Sequence, residues 1–419
     1  MKFDDHSQNL GARIGAIQVF AFVLLAVLGV RVYFLQIVRG DQYKERAENQ
    51  RIRLLPIPAP RGAILDREGR LLVDSRSTYN IVLSREEIKK KDINALIPDY
   101  ADGLGIDAET LREKLDFVQK NQAAHESVVV KENANLEDLT WVDAHELEHP
   151  ELRVEIHPQR FYPHATIAAH VLGYVGEISP KQLEDPKYIE RGLRAGDIIG
   201  KEGLEATYDQ YLRGRDGYRK VVVDSRGRIQ DEIEIVQPQP GQDLVTTIDL
   251  DLQKTAEQKL EESVTKRGVL VAMDPNNGEI LAMASAPSFD PNVFVSEVST
   301  KEGRRKIAAL YNDPQKPLLN RAIRGRYPPG STWKIPESIA ALQQGVITVE
   351  NSNMACGGGI QTGSKFTRCM GNHGSPPLSY AITKSCDGYY YRLALKMKLE
   401  GLIQMVETFE FDKQTGIDM

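Results

Sequence analysis

Residues 326–341 read RYPPGSTWKIPESIAA. Pro328 and Pro329 keep the preceding chain out of a helix, and Gly330 permits a sharp turn. From Ser331 to Ala341 the apolar spacing is helical. Ser331 is thus expected in the first turn of a helix. There the free backbone N–H groups and the positive dipole end favour a developing oxyanion. Lys334, three residues on, projects from the same face. If that face is buried, Lys334 gives up a proton more readily and can take one from the serine. Taken alone, Ser-x-x-Lys also describes an ordinary helix start. Two competing chemistries are disfavoured by the residues around it. Of the eight histidines, seven lie at or before His170 and only His373 follows, which argues against a Ser-His-Asp triad here. No lysine directly follows Gly330, so the turn is not a phosphate loop.

Working outward, the 419 residues leave room for two to four domains. A composition of 41% hydrophobic and 27% charged residues marks a folded chain. The net charge of −6 argues against nucleic acid as a partner. Three cysteines are too few for a disulfide scaffold. From Ile14 to Val30 the only polar side chain is Gln18, and after Arg31 the apolar run resumes as Val32-Tyr33-Phe34-Leu35. About 20 apolar residues suffice to cross a bilayer, with Arg31 snorkelling and the aromatics at the interface. No small-residue cleavage site follows, so residues 14–38 are read as an uncleaved anchor after a cytoplasmic tail, 1–13. Lys2 and Arg13 precede the span, whereas Arg39, Lys44, Arg46, Arg51 and Arg53 follow it. The charges do not set its orientation; the downstream chemistry must.

Residues 39–245 read as a β-rich, non-catalytic pedestal. Ala63-Ile64-Leu65 followed by Glu68-Gly69 suggests a strand entering a turn. Residues 84–150 look helical and charged. In 200–217, GKEGLEATYDQYLRGRDG, the spacing of Leu204, Tyr208, Tyr211 and Leu212 predicts one helix ended by Gly214 and Gly217. Val221–Val223 is a strand leading to a turn at 224–227. QPQPG (237–241) is a linker. A second domain then starts at 246. It has a helix from about 250 to 265, capped by Thr247 or Asp249, and a hairpin over 268–285 turning at Pro275-Asn276-Asn277-Gly278. The class is α+β and multidomain, with helices on an antiparallel sheet.

Cys356, Cys369, His373 and Cys386 lie within 31 residues and include every cysteine of the chain. The spacing C-x12-C-x3-H-x12-C is not that of a standard finger, but three thiols and an imidazole are a preferred closed zinc set. A Cys356–Cys369 disulfide, or three unrelated thiols, would also fit the sequence.

Ser385-Cys386-Asp387 follows Ser331 by 54 residues, like the Ser-x-Asn triplet that accompanies Ser-x-x-Lys. With PRGAILDREGRLL (60–72), AHVLGYVGEIS (169–179), GKEGLEATYDQYLRG (200–214), AMDPNNGEILAMAS (272–285), NRAIRGRYPPGSTWK (320–334) and KSCDGYYY (384–391), the chain resembles the elongation-type class B penicillin-binding proteins almost from end to end. The resemblance implies a single-pass inner-membrane protein with a periplasmic peptidoglycan D,D-transpeptidase domain, 246–419, on an elongated pedestal. It implies Ser331 as the nucleophile on stem peptides and β-lactams, Lys334 as general base and Ser385 as proton relay. Asp387 would contact the substrate amide or order Lys334. It also implies a structural zinc whose histidine matches His373 and whose last ligand matches Cys386. Carboxylates usually fill the other two places, so Cys356 and Cys369 depart from the pattern. Trp333 stands for a more usual Phe and should point away from the Ser–Lys face. The pedestal would engage a SEDS-type glycosyltransferase and rod-complex scaffold proteins. The two competing functions are a β-lactamase or β-lactam sensor and a non-catalytic scaffold. The family's third motif, Lys-Thr-Gly, which clamps the substrate carboxylate, occurs nowhere in these residues. The transpeptidase domain therefore reads as incomplete at its C-terminal side, and poor or no penicillin binding is expected of 1–419 alone.

Overall fold

The computed structural model describes residues 7–39, 52–84, 93–121, 127–223, 229–296, 298 and 301–419. The basic residues Lys2, Lys44, Arg46 and Arg51 and the turn at 224–227 lie outside the described residues.

The apolar N-terminal run forms a helix, Ser7–Tyr33, that continues as a π turn, Phe34–Val38. The window Arg13–Val38 has a mean hydropathy of 2.2 and none of it is buried against protein. At ~1.5 Å per residue it is long and apolar enough to cross a membrane.

The chain divides into two compact units, Met1–Ala322 and Ile323–Met419. In the first, strand Leu71–Leu83 pairs antiparallel with Leu152–Phe161, from Asp74 opposite Phe161 to Leu83 opposite Leu152. At one end it also pairs with Val128–Lys131, and at the other with Ile64–Leu65. Leu244–Val245 returns to lie parallel to Ile64–Leu65. Ile81, Leu83, Val128, Val130 and Leu152 face a core completed by Ile97, Tyr100, Leu104 and Leu111. The last four come from helices Ile93–Leu104 and Ala108–Asn121. The expected wholly helical stretch 84–150 thus needs correction. Val128-Val129-Val130 is a strand inside it, because three β-branched residues in a row pack better on a pleated surface than in a helix. A separate meander joins Ile52–Ile57, Gly217–Val223 and Ile229–Val236.

The single helix expected over 200–217 is two short ones, Gly203–Thr207 and Asp209–Leu212, broken at Tyr208. The break turns Asp209 inward. It accepts from Gly200 N–H at 2.8 Å, from Arg61 at 2.8 Å and from Arg191 at 2.6 Å. Arg61 also meets Glu205 at 2.8 Å, and buried Arg160 meets Glu205 at 2.5 Å. This network is what joins the PRG segment (60–62) to the segment 200–214. Removing one member of a buried ion pair strands the other without water.

Helix Leu250–Glu262 is capped by Asp249, which accepts from Asp251 and Leu252 N–H at 3.0 Å. It ends three residues earlier than the spacing suggested. The expected antiparallel hairpin is present as Gly268–Met273 with Ile280–Ala286. Buried Gln253 ties helix to hairpin: its carbonyl accepts from Met283 N–H at 2.8 Å and its amide donates to Met283 C=O at 3.1 Å.

In the second unit, helix Lys334–Gln343 packs on helix Asp387–Thr408 through Ala340, Ala341, Tyr389, Tyr390 and Leu393. The long helix is kinked at Lys398 (φ 62°). A hairpin, Gly359–Thr362 with Lys365–Arg368, which the sequence had not suggested, precedes helix Leu378–Thr383.

Candidate active site and metal centre

Gly330 has φ +58°, a left-handed conformation that the proline pair leads into and that a β-carbon would strain. Residues Gly330–Trp333 then form a 3₁₀ turn, and the α-helix begins only at Lys334. Ser331 is therefore in a tighter turn than expected. With three residues per turn, side chains at i and i+3 eclipse, which aligns Ser331 with Lys334. Trp333 points elsewhere, into the unit's core beside Phe411, ring centroids 5.4 Å apart.

The second serine links the pair. Ser331 Oγ and Ser385 Oγ are 2.8 Å apart. Lys334 Nζ donates to Ser385 Oγ at 2.9 Å, to Ser385 C=O at 2.8 Å and to Asp387 Oδ1 at 2.6 Å. An ammonium has three N–H donors, and all three are used. Of the two contacts expected of Asp387, the one with Lys334 is present. Lys334 is 8% exposed while Ser331 is open to solvent. Ser385 has φ +47°, rare for a residue with a side chain, at an order of 1–2 kcal/mol. The turn is held by Ser385 N–H to Ile382 C=O at 3.0 Å and Cys386 N–H to Ala381 C=O at 2.8 Å. Asp387 opens the long helix, its negative charge at the positive dipole end.

Cys356, Cys369, His373 and Cys386 converge, with ligand atoms all within 4.8 Å of one another. All three thiols are free, and Cys356 and Cys386 are fully buried. His373 Nδ1 lies 3.5 Å from Cys356 Sγ and 3.6 Å from Cys369 Sγ; Cys369 and Cys386 Sγ are 4.0 Å apart. A tetrahedron with zinc–sulfur bonds of ~2.3 Å and zinc–nitrogen bonds of ~2.05 Å has edges of roughly 3.8 and 3.5 Å. The donor set and its spacing fit that ion. Burial opposes ionisation of both inner thiols. At Cys356, hydrogen bonds from the His373 backbone and ring outweigh it and bring the thiol down to about 6. At Cys386 burial prevails and pushes the thiol up to about 12.

Gly388 is tied to this cluster. A β-carbon there would come within 2.7 Å of Cys356 Sγ. Helix propensity alone favours alanine over glycine by up to ~1 kcal/mol. Gly388→Ala is expected to do the opposite and lower the melting temperature, because overpacking costs about 1–3 kcal/mol. A calorimetric scan of the two proteins checks the sign.

Sequence reasoning missed a carboxyl beneath the lysine. Glu337 and Ser338 share the buried face of their helix with Lys334 and Ala341. Ser338 Oγ donates to Lys334 C=O at 2.6 Å and lies 2.8 Å from Tyr390 Oη. Glu337 is 4% exposed and its Oε1 has no hydrogen-bond partner. Burial pushes its carboxyl up to about 7, against the pull of the Lys334 charge. The signal was available: Glu337 falls on the i, i+3, i+4, i+7 stripe with Lys334, Ser338 and Ala341, the face that the helix buries.

A solvent-open serine and a buried lysine one turn apart, bridged by a second serine, define a serine–lysine type of site. Comparison with known proteins places it. Residues 56–246 match the penicillin-binding protein dimerisation domain, and 268–419 match the penicillin-binding protein transpeptidase domain. The chain is 34% identical to the peptidoglycan D,D-transpeptidase MrdA of Acinetobacter baumannii over 403 residues, which is 95% of this chain and 58% of that protein. It is similar to the penicillin-binding protein PBP2 of Helicobacter pylori, solved in complex with MreC (28% identity, TM-score 0.72, 88% of this chain and 67% of that one). It is also similar to a chain in a structure describing coordination of polymerization and crosslinking by a peptidoglycan synthase complex. There the identity is 32% and the TM-score 0.61, over 97% of this chain and 69% of that one. The protein belongs to the penicillin-binding proteins. The chain spans about three-fifths of the length of the curated relatives it matches.

Proposed function

We propose that this protein is a peptidoglycan D,D-transpeptidase of cell elongation, acting through an acyl-enzyme on Ser331. The observation that carries this is the hydrogen-bonded path from Ser331 through Ser385 to Lys334. In its amine form, Lys334 draws the Ser331 proton along that path as Ser331 Oγ attacks the carbonyl of the penultimate D-Ala of a stem peptide. The same proton returns through Ser385 to the amine of the departing D-Ala. An amine of a neighbouring strand then attacks the ester, gives up its proton by the same route and leaves a 4→3 cross-link, regenerating Ser331. β-Lactams acylate Ser331 as mimics of this substrate. Asp387 holds Lys334 against Ser385 between steps.

Cys356, Cys369, His373 and Cys386 would hold one zinc ion, whose role is structural. By fixing Cys386, these ligands keep Ser385 in its left-handed turn and Asp387 against Lys334. The substrate chemistry belongs outside the inner membrane, so the apolar N-terminal helix serves as a single-pass anchor with both matched domains in the periplasm. The likeness to a PBP2 solved with MreC and to a chain of a peptidoglycan synthase complex supports docking of residues 39–245 on a SEDS-type polymerase and on scaffold proteins of the rod complex. The test is muropeptide analysis after supplying lipid-linked substrate and polymerase to the protein expressed from its own gene. Cross-linked 4→3 dimers are expected, and Ser331→Ala should abolish them. Dimers that persist in Ser331→Ala contradict the proposal.

A further inference from the structure

The four clustered side chains differ in their access to solvent. Cys356 and Cys386 are fully buried, whereas Cys369 is partly open and its neighbour Met370 is 88% exposed. Cys369 directly follows the hairpin Gly359–Thr362 with Lys365–Arg368, whose side chains are mostly exposed. Cys386 lies on the other side of the cluster, in the core of the second unit with Ala381 and Tyr389. The Cys369 and Cys386 sulfurs are 4.0 Å apart, so a shift of roughly 2 Å by the exposed hairpin would bring them to bonding distance. Cys356 Sγ is turned instead to His373 Nδ1 at 3.5 Å and to the Gly371 carbonyl at 3.6 Å. An oxidant arriving from solvent therefore meets Cys369 first, and the sulfur placed to answer is that of Cys386.

We propose that Cys369 is an oxidation site: peroxides convert it, together with Cys386, into a disulfide that opens the four-ligand cluster and loosens the catalytic turn at Ser385. Cys369 Sγ attacks one oxygen of hydrogen peroxide. An S–O bond forms, the O–O bond breaks, and the other oxygen leaves as water with the proton of the thiol. Cys386 Sγ then bonds to Cys369 Sγ and displaces the hydroxyl, which departs as a second water with the other thiol proton. The two sulfurs give up two electrons and the peroxide takes them. Cys356 and His373 alone are half of a closed zinc set, so the ion is released. Cys386, between Ser385 and Asp387, is then tied to a surface hairpin and no longer to a closed cluster. For that consequence the inference rests on the zinc reading above; the pairing of the sulfurs rests on their geometry alone.

Reduced, zinc-loaded protein expressed from its own gene is treated with hydrogen peroxide. About one zinc per chain should pass to a chromogenic chelator. Trypsin cuts after Arg368, Lys384 and Arg392, so a digest without reductant should show residues 369–384 joined to 385–392. Sulfoxide at Met370 adds ~16 Da to the first peptide without joining it to another. Labelling of Ser331 by a fluorescent penicillin should slow several-fold and recover with dithiothreitol and zinc. Cys369→Asp offers an oxygen ligand that peroxide does not attack. Whatever its starting rate, its labelling should be the same before and after treatment. Residues 335–365 joined to 369–384, or sulfinic and sulfonic acids in place of a disulfide, overturn the pairing. Labelling unchanged once the disulfide has formed, or slowed equally in Cys369→Asp, overturns the link to the catalytic turn. If the reduced parent holds no zinc, the metal reading fails and the mapped peptides alone decide the oxidation site. If Ser331 is never labelled, the proposed function fails, and zinc release with the mapped pair decides.

Discussion

Lys334→Gln should slow acylation of Ser331 by about 10²- to 10⁴-fold and leave the fold intact. The lysine makes three bonds, and the glutamine amide can replace at most two of them as a donor. What it cannot do is accept a proton from the Ser331–Ser385 path. The stability cost is modest because Asp387, the carboxylate left behind, is 28% exposed and water can cover it. The time course of fluorescent penicillin labelling measures the rate, and circular dichroism measures the melting point. Parental labelling by the variant would remove Lys334 from the role of base.

The second large effect concerns the four-ligand cluster. The protein purified without chelator is expected to carry about one zinc per chain, and Cys386→Ala to carry none. Structural zinc supplies about 10–16 kcal/mol in isolated finger peptides. Here the helices of the second unit share the load, so a fall in melting temperature on the order of 10 °C is expected. Acylation should fall as well, although Ser331 and Lys334 are untouched. Cys386 sits between Ser385 and Asp387, and with its anchor gone the left-handed turn at Ser385 has less to hold it. Metal analysis, calorimetry and penicillin labelling report the three quantities separately. Parent protein with no zinc, or a Cys386→Ala variant that melts and labels normally, contradicts the structural role.

What could be read directly from the sequence had local causes. Pro328-Pro329-Gly330 forces a turn whatever surrounds it, and the i, i+3 spacing of Ser331 and Lys334 is a property of one helical turn. Asp249 as a cap and Asn277-Gly278 in the hairpin are of the same kind. The cysteines and His373 stood out because they are every cysteine of the chain and the one histidine after His170. The readings that failed depended on distant partners. The β-branched run at Val128–Val130 becomes a strand only by pairing with Ile81–Leu83, far earlier in the chain. The helix breaks at Tyr208 where Asp209 turns in to meet Arg61, a partner far earlier in the chain. The hydrogen-bonded bridge that Ser385 makes between Ser331 and Lys334 was likewise invisible in spacing. A three-residue motif does not reveal that its first residue adopts φ +47°. Glu337 was overlooked because nothing in the family resemblance pointed to it, and its burial appears only once Tyr389 and Tyr390 close over it.

The central claim, that Ser331 carries the acyl group, is tested most directly by peptide mapping. The protein expressed from its own gene is treated with a penicillin, digested with trypsin and analysed by mass spectrometry. The expected result is the peptide YPPGSTWK, residues 327–334, bearing the mass of the opened β-lactam on Ser331. An unmodified peptide, or an adduct on any other residue, contradicts the assignment.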